Sequence, residues 1–180
     1  MNIVIHPGWQ DSGPDHWQSI WQAALPRSSR VAQADWDRPQ LDDWVAALDR
    51  HLAALDGPAV LVCHSLGCIT LAHWSARTAN RHGRVAAALL VAPADVGRGD
   101  APAEIVGFAP IPFDPLPFPA TVVASDDDPF CEPARSRAFA AAWGARLVTL
   151  AGAGHINAAA GFGAWPEGRA LLDALCRRAA

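Results

Sequence analysis

At 180 residues with 51% hydrophobic side chains, the chain holds enough apolar material for one substantial core and too little length for two comfortable ones, so a single domain over residues 1–180 is expected. A formal charge of −4 with no arginine-rich run argues against nucleic acid as a partner, because phosphate contacts need clustered cations. Neither Lys nor Tyr occurs anywhere, which removes Schiff-base, Ser-Lys and Tyr-acid chemistries.

The chain opens directly into an apolar run at residues 2–6, with no basic signal-peptide start. A helical segment is expected at 14–24 and a strand at 30–34. Leu41, Trp44, Val45, Leu48, Leu52 and Leu55 then repeat at spacings of three and four, the stripe of an amphipathic helix. Further strands are expected at 59–63, 86–92, 120–125 and 146–150, with helices at 67–80, 133–143 and 165–178. The strand runs are mostly continuous rather than alternating in polarity, as strands buried on both faces read. Strand and helix therefore alternate, and the fold class is α/β: a mostly parallel sheet of about six strands with helices on both faces.

One stretch breaks the alternation. Residues 101–119 carry Pro102, Pro110, Pro112, Pro115, Pro117 and Pro119 with Phe108, Phe113 and Phe118 among them, a density that denies a long helix. It reads either as an extended connector anchored by its Phe side chains or as a wall of a substrate pocket. No run approaches the roughly 20 apolar residues a membrane helix needs, so no membrane association and a cytoplasmic location are expected. Cys63, Cys68, Cys131 and Cys176 form no CxxC pair and no zinc spacing, so free thiols are expected and no metal or cofactor is implied.

In open parallel sheets, functional groups gather beyond the carboxyl ends of the strands. Read in order, those positions give His6-Pro7-Gly8-Trp9, then Ser65, then Asp126-Asp127-Asp128-Pro129, then Gly152-Ala153-Gly154-His155. Ser65 sits in Cys63-His64-Ser65-Leu66-Gly67, between a strand and a helix, where a nucleophile elbow would stand. Ser, Asp and His in that chain order suit a Ser-His-Asp triad, in which a neutral imidazole takes the hydroxyl proton and a carboxylate fixes its tautomer. His155 is the expected base. Asp128, extended by Pro129, leads Asp126 and Asp127 as the acid, and the other two carboxylates read as a solvated turn. Backbone N–H groups of Leu66 and Trp9 are the expected oxyanion donors. Gly8, His16, Trp17, His64, Phe113 and Phe130 are candidates for the substrate pocket.

These motifs, from His6-Pro-Gly-Trp9-Gln10 and Ser12-Gly-Pro-Asp-His16-Trp17 through Asp35-Trp36-Asp37-Arg38-Pro39 and the elbow to Ser125-Asp-Asp-Asp-Pro129 and Gly154-His155, resemble the small serine hydrolase family that includes the YdeN-type bacterial proteins and retinoblastoma-binding protein 9. The resemblance spans nearly the whole chain. It implies a compact α/β-hydrolase without a cap domain and Ser65, Asp128 and His155 as the triad. One departure stands out: the first Gly of G-x-S-x-G is Cys63. The expected activity is cleavage of small carboxylic esters or related acyl compounds through an acyl-serine, with a small-molecule acyl substrate as the partner. The alternative is a protein-interaction module on a hydrolase scaffold, although no protein partner is indicated. A metallohydrolase is disfavoured, since no H-E-x-x-H occurs.

Overall fold

The computed structural model describes residues 1–80 and 82–179. Six strands, β1 (Asn2–His6), β2 (Ser28–Arg30), β3 (Ala59–His64), β4 (Val85–Val91), β5 (Ala120–Ser125) and β6 (Arg146–Leu150), form one sheet in the order β2-β1-β3-β4-β5-β6. Every neighbouring pair is parallel. Four helices lie between strands, α1 (Trp17–Ala24), α2 (Leu41–Ala53), α3 (Leu66–Thr78) and α4 (Pro133–Ala142), the proline-rich stretch joins β4 to β5, and α5 (Pro166–Ala179) follows the last strand. The expected α/β architecture is therefore present, with no cap domain among the described residues.

Because strand side chains alternate, each continuous apolar strand feeds two cores. Ala59, Leu61 and Cys63 of β3 join α2, α3 and α4 on one face, where Trp44, Trp74 and Trp143 are buried. Val60 and Val62 join α1 and α5 on the other, with Trp17, Trp21 and Trp165. Helix α3 is buried along Leu66 to Ser75 with no solvent stripe, as a central helix is.

Several boundaries shift by one or two residues from the sequence expectation, and two elements differ by more. The second strand occupies residues 28–30 rather than 30–34, because only Ser28–Arg30 pair with Ile3–Ile5. Val31 makes one more bond to Ile5 O (3.0 Å), and the chain then runs past the carboxyl end of β1. Helix α1 starts at Trp17, not residue 14, because His16 is its cap: the backbone there is extended, and the ring Nδ1 accepts from Gln18 N (3.2 Å).

The proline-rich stretch holds one short turn, Val106–Phe108, and is anchored by the buried side chains of Ile105, Phe108, Ile111 and Phe118. Phe108 is fully enclosed and its carbonyl accepts from His73 Nε2 (2.8 Å), while Phe118 is 8% exposed. Burying a Phe side chain contributes about 1.5–3 kcal/mol, enough to hold such a connector.

The chain runs from β1 outward to β2 and then crosses back to β3. This puts the switch in winding direction between β1 and β3, where open parallel sheets keep their ligand crevice. Among the described residues no helix is long and apolar enough to cross a membrane.

Candidate active site

The crevice is built on the turn from β3 into α3. Ser65 has φ +51° and ψ −120°, a conformation that costs a non-glycine residue on the order of 1–3 kcal/mol. Its N–H donates to Val91 O (3.0 Å), so the end of β4 holds the turn in place. A Cβ on Gly67 would lie 2.6 Å from Pro7 O and closer still to His6 O, so only glycine lets α3 approach β1. Cys63, where the pentad departs from glycine, is fully buried on the α2 and α3 face, and burial pushes its thiol well above the ordinary range. The strained turn survives that substitution.

The loops after β5 and β6 meet beside this turn. Asp128, with a side chain 2% exposed, accepts from Phe130 N (2.9 Å) and takes both oxygens to His155 Nδ1 (2.9 and 3.0 Å). A carboxylate there holds the proton on Nδ1 and leaves Nε2 with a free lone pair. Asp126 accepts from Gly152 N (2.7 Å) and Asp127 from Gly154 N (2.7 Å). Ser125 Oγ accepts from Ala153 N (2.9 Å) and donates to Asp127 (2.6 Å), which draws the Asp127 carboxyl below its usual range. The reading of two of these carboxylates as a merely solvated turn is thus corrected: three consecutive Asp side chains tie down the loop that carries His155.

A cavity of about 310 Å³ opens at the crevice, lined among others by Trp9, His16, His64, Ser65, Phe130 and His155. Neither the Trp9 nor the Leu66 N–H donates to a protein acceptor among the described residues. Gly8 packs against the turn so closely that a Cβ there would lie 2.7 Å from Ser65 Cβ and 3.2 Å from Leu66 N. The loop after β1 is held in turn by Gln10 N to Trp36 O (3.0 Å) and Trp9 Nε1 to Asp37 O (2.9 Å).

Three imidazoles cluster here. His64 Nε2 donates to His155 O (2.9 Å); since a carbonyl only accepts, its proton sits on Nε2. The His64 ring centroid lies 4.8 Å from that of His155 and 4.9 Å from that of His16. Burial, then the neighbouring His155 and His16, hold His64 well below the ordinary histidine range. Burial, then Arg30 and His155, lower His16 to about 4. Both are therefore neutral at neutral pH.

Several expected pocket residues belong elsewhere. Trp17 has no exposed surface and cannot touch a substrate, because its indole faces the α5 side of the sheet and donates to Ile156 O (2.8 Å). Phe113 is 40% exposed and packs on Phe139 and Arg135, away from the cavity; Ile105 is the residue of the proline-rich stretch that lines it. Gly8 supports the turn and is not part of the cavity lining. Sequence reasoning missed Gln18, a buried amide bonded to Ser12 Oγ (2.7 Å), Val62 O (2.9 Å) and His6 O (3.3 Å), which clasps the ends of β1 and β3. A Gln between Trp17 and Trp21, the buried aromatic residues of α1, was its available signal. Among the described residues no group of three or more His, Cys, Asp or Glu could hold a metal ion.

A doubly wound parallel sheet with a strained serine turn at its winding switch, and a His-carboxylate pair on the neighbouring loops, defines an α/β-hydrolase. A family model described as serine hydrolase matches residues 3–174, and the chain belongs to that family; the protein is an enzyme, a hydrolase. No curated protein matches the chain by sequence. Among solved structures, one described as a YdeN-like hydrolase from Pectobacterium atrosepticum is 36% identical, with a TM-score of 0.82 over 99% of this chain and 88% of that one. The ydeN gene product of Bacillus subtilis is 19% identical, with a TM-score of 0.74 over 98% of each chain. The type II thioesterase BorB of the borrelidin biosynthetic cluster is 18% identical, with a TM-score of 0.64 over 99% and 92%; these last two likenesses speak to the fold alone.

Proposed function

We propose that the enzyme cleaves small carboxylic esters through an acyl-serine intermediate on Ser65, with His155 as general base and Asp128 as its orienting carboxylate. The observation that carries this reading is the closed Asp128–His155 couple on the rim of the same cavity that exposes the strained Ser65. His155 Nε2 takes the Ser65 hydroxyl proton as Oγ bonds to the ester carbonyl carbon, and the carbonyl π electrons move onto oxygen. The uncommitted N–H groups of Trp9 and Leu66 receive that oxyanion. Collapse expels the alkoxide, which leaves as the alcohol with the proton from His155. Water, deprotonated by His155, then attacks the acyl-serine, and collapse releases the carboxylic acid as the departing Ser65 Oγ takes the proton back from His155. An acceptor other than water would use the same groups for acyl transfer.

The substrate is a small acyl compound, which suits a cavity of about 310 Å³ with no covering domain among the described residues. Ser65→Ala tests the assignment: kcat on an activated ester is expected to fall about ten-thousand-fold or more. Retention of ester turnover by the folded variant would refute it.

A further inference from the structure

The lining of the cavity beside Ser65 combines the polar Gln10, Asp11, His16 and Asn157 with the apolar Ala94, Ile105 and Phe130. The same three apolar residues also line a second cavity of about 230 Å³, bounded beyond them by Pro102, Pro129 and the charged side chains of Asp95, Arg98 and Asp100.

Those charges are spent on one another. Arg98 forms an ion pair with Asp100 and donates to Pro129 O. Asp95 pairs with Arg135 (3.2 Å) and accepts from Gly97 N (3.2 Å). With its ionic groups already partnered, the second cavity offers a ligand mainly the apolar surface of Ala94, Pro102, Ile105, Pro129 and Phe130. Phe130 is fixed at the boundary by its N–H bond to Asp128 (2.9 Å) and by its ring, 4.5 Å from the His155 ring centroid. A chain leading away from Ser65 on this side therefore passes the same residue that braces the acid and base.

We propose that Ala94, Ile105 and Phe130 form the acyl throat of the enzyme, so that the acyl chain runs past them into the second cavity while the alcohol portion lies against the polar residues. The substrate class is thus an ester of a medium-length fatty acid with a polar alcohol. This rests on the acyl-Ser65 reading and deepens it. Binding energy realised beyond the throat raises kcat/KM for each methylene buried there, by about fourfold per CH2. The gain ends when the second cavity is full.

The test is a series of p-nitrophenyl esters from acetate to decanoate, measured on the wild type, Ile105→Phe and Ala94→Val, with fluorophosphonate labelling of each protein run alongside. The proposal expects kcat/KM in the wild type to climb about fourfold per methylene over several steps and then level off. It also expects the decanoate-to-acetate ratio to drop at least tenfold in whichever throat variant folds. A flat wild-type profile, or an unchanged ratio in a folded throat variant, with Ser65 still labelled, would overturn the throat and leave the acyl-serine reading intact. Absence of label on wild-type Ser65 would overturn both.

Discussion

Gly8→Ala is a one-methyl probe of how the loop after β1 and the serine turn share space. Gly8 does not have a left-handed backbone, so alanine is tolerated locally; the conflict is with what lies opposite. The added Cβ would stand 2.7 Å from Ser65 Cβ and 3.2 Å from Leu66 N, whereas carbon atoms rest about 3.5–4.0 Å apart. The two segments must therefore part by about 1 Å. That displacement separates the Trp9 and Leu66 N–H groups, and a misplacement of this size or the loss of one oxyanion donor costs about a hundredfold in kcat. Overpacking costs stability about 1–3 kcal/mol, or roughly 2–12 °C in Tm for a chain of this size. Gly13→Ala, in the same loop with nothing within 4 Å of its added Cβ, is the control and is expected to behave as wild type. Steady-state ester hydrolysis and thermal melts read both variants. A folded Gly8→Ala enzyme with kcat within twofold of wild type would refute the coupling of this loop to the proposed oxyanion donors.

Other predictions follow from the buried imidazoles. His64→Phe removes the donor to His155 O and is expected to cost about 1–3 kcal/mol in chemical denaturation, with kcat falling more than KM changes because the base loop loses an anchor; unchanged kcat would contradict that role. Burial, then His51, holds His6 at about 3, and His16 is lowered to about 4, so both stay neutral in the fold while the unfolded chain protonates near 6.5. Their contribution to stability is complete above pH 6.5 and is lost as pH falls from there toward about 4 for His16 and about 3 for His6, by up to about 1.4 kcal/mol per pH unit for each histidine. His6→Phe, replacing a ring whose two nitrogens have no partner beside Trp44, is expected to flatten the denaturation slope between pH 6.5 and 4.5. An unchanged slope would show that His6 is not among the groups responsible.

What the sequence made legible was governed by local pattern. Continuous apolar runs marked the buried parallel strands, and the residues after them marked the crevice, because backbone direction alone sends those positions to one edge of the sheet. Side-chain direction was less legible. Trp17 adjoins the motif-bearing loop in sequence, yet the first turn of α1 rolls it into the core; Phe113 shares its stretch with Ile105, yet only Ile105 faces the cavity. Asp126 and Asp127 resembled turn residues because their partners, Gly152 N and Gly154 N, lie 26 and 27 residues away. The bond from His64 to the His155 carbonyl spans 91 residues and had no local signal at all.

An activated Ser65 reacts quickly with a fluorophosphonate, so intact mass after incubation with that reagent, on the wild type and on Ser65→Ala, reads the nucleophile itself. One phosphonyl adduct is expected on the wild type, mapped to Ser65, and none on the variant. No adduct on the wild type, or an equal adduct on both proteins, would contradict an activated Ser65.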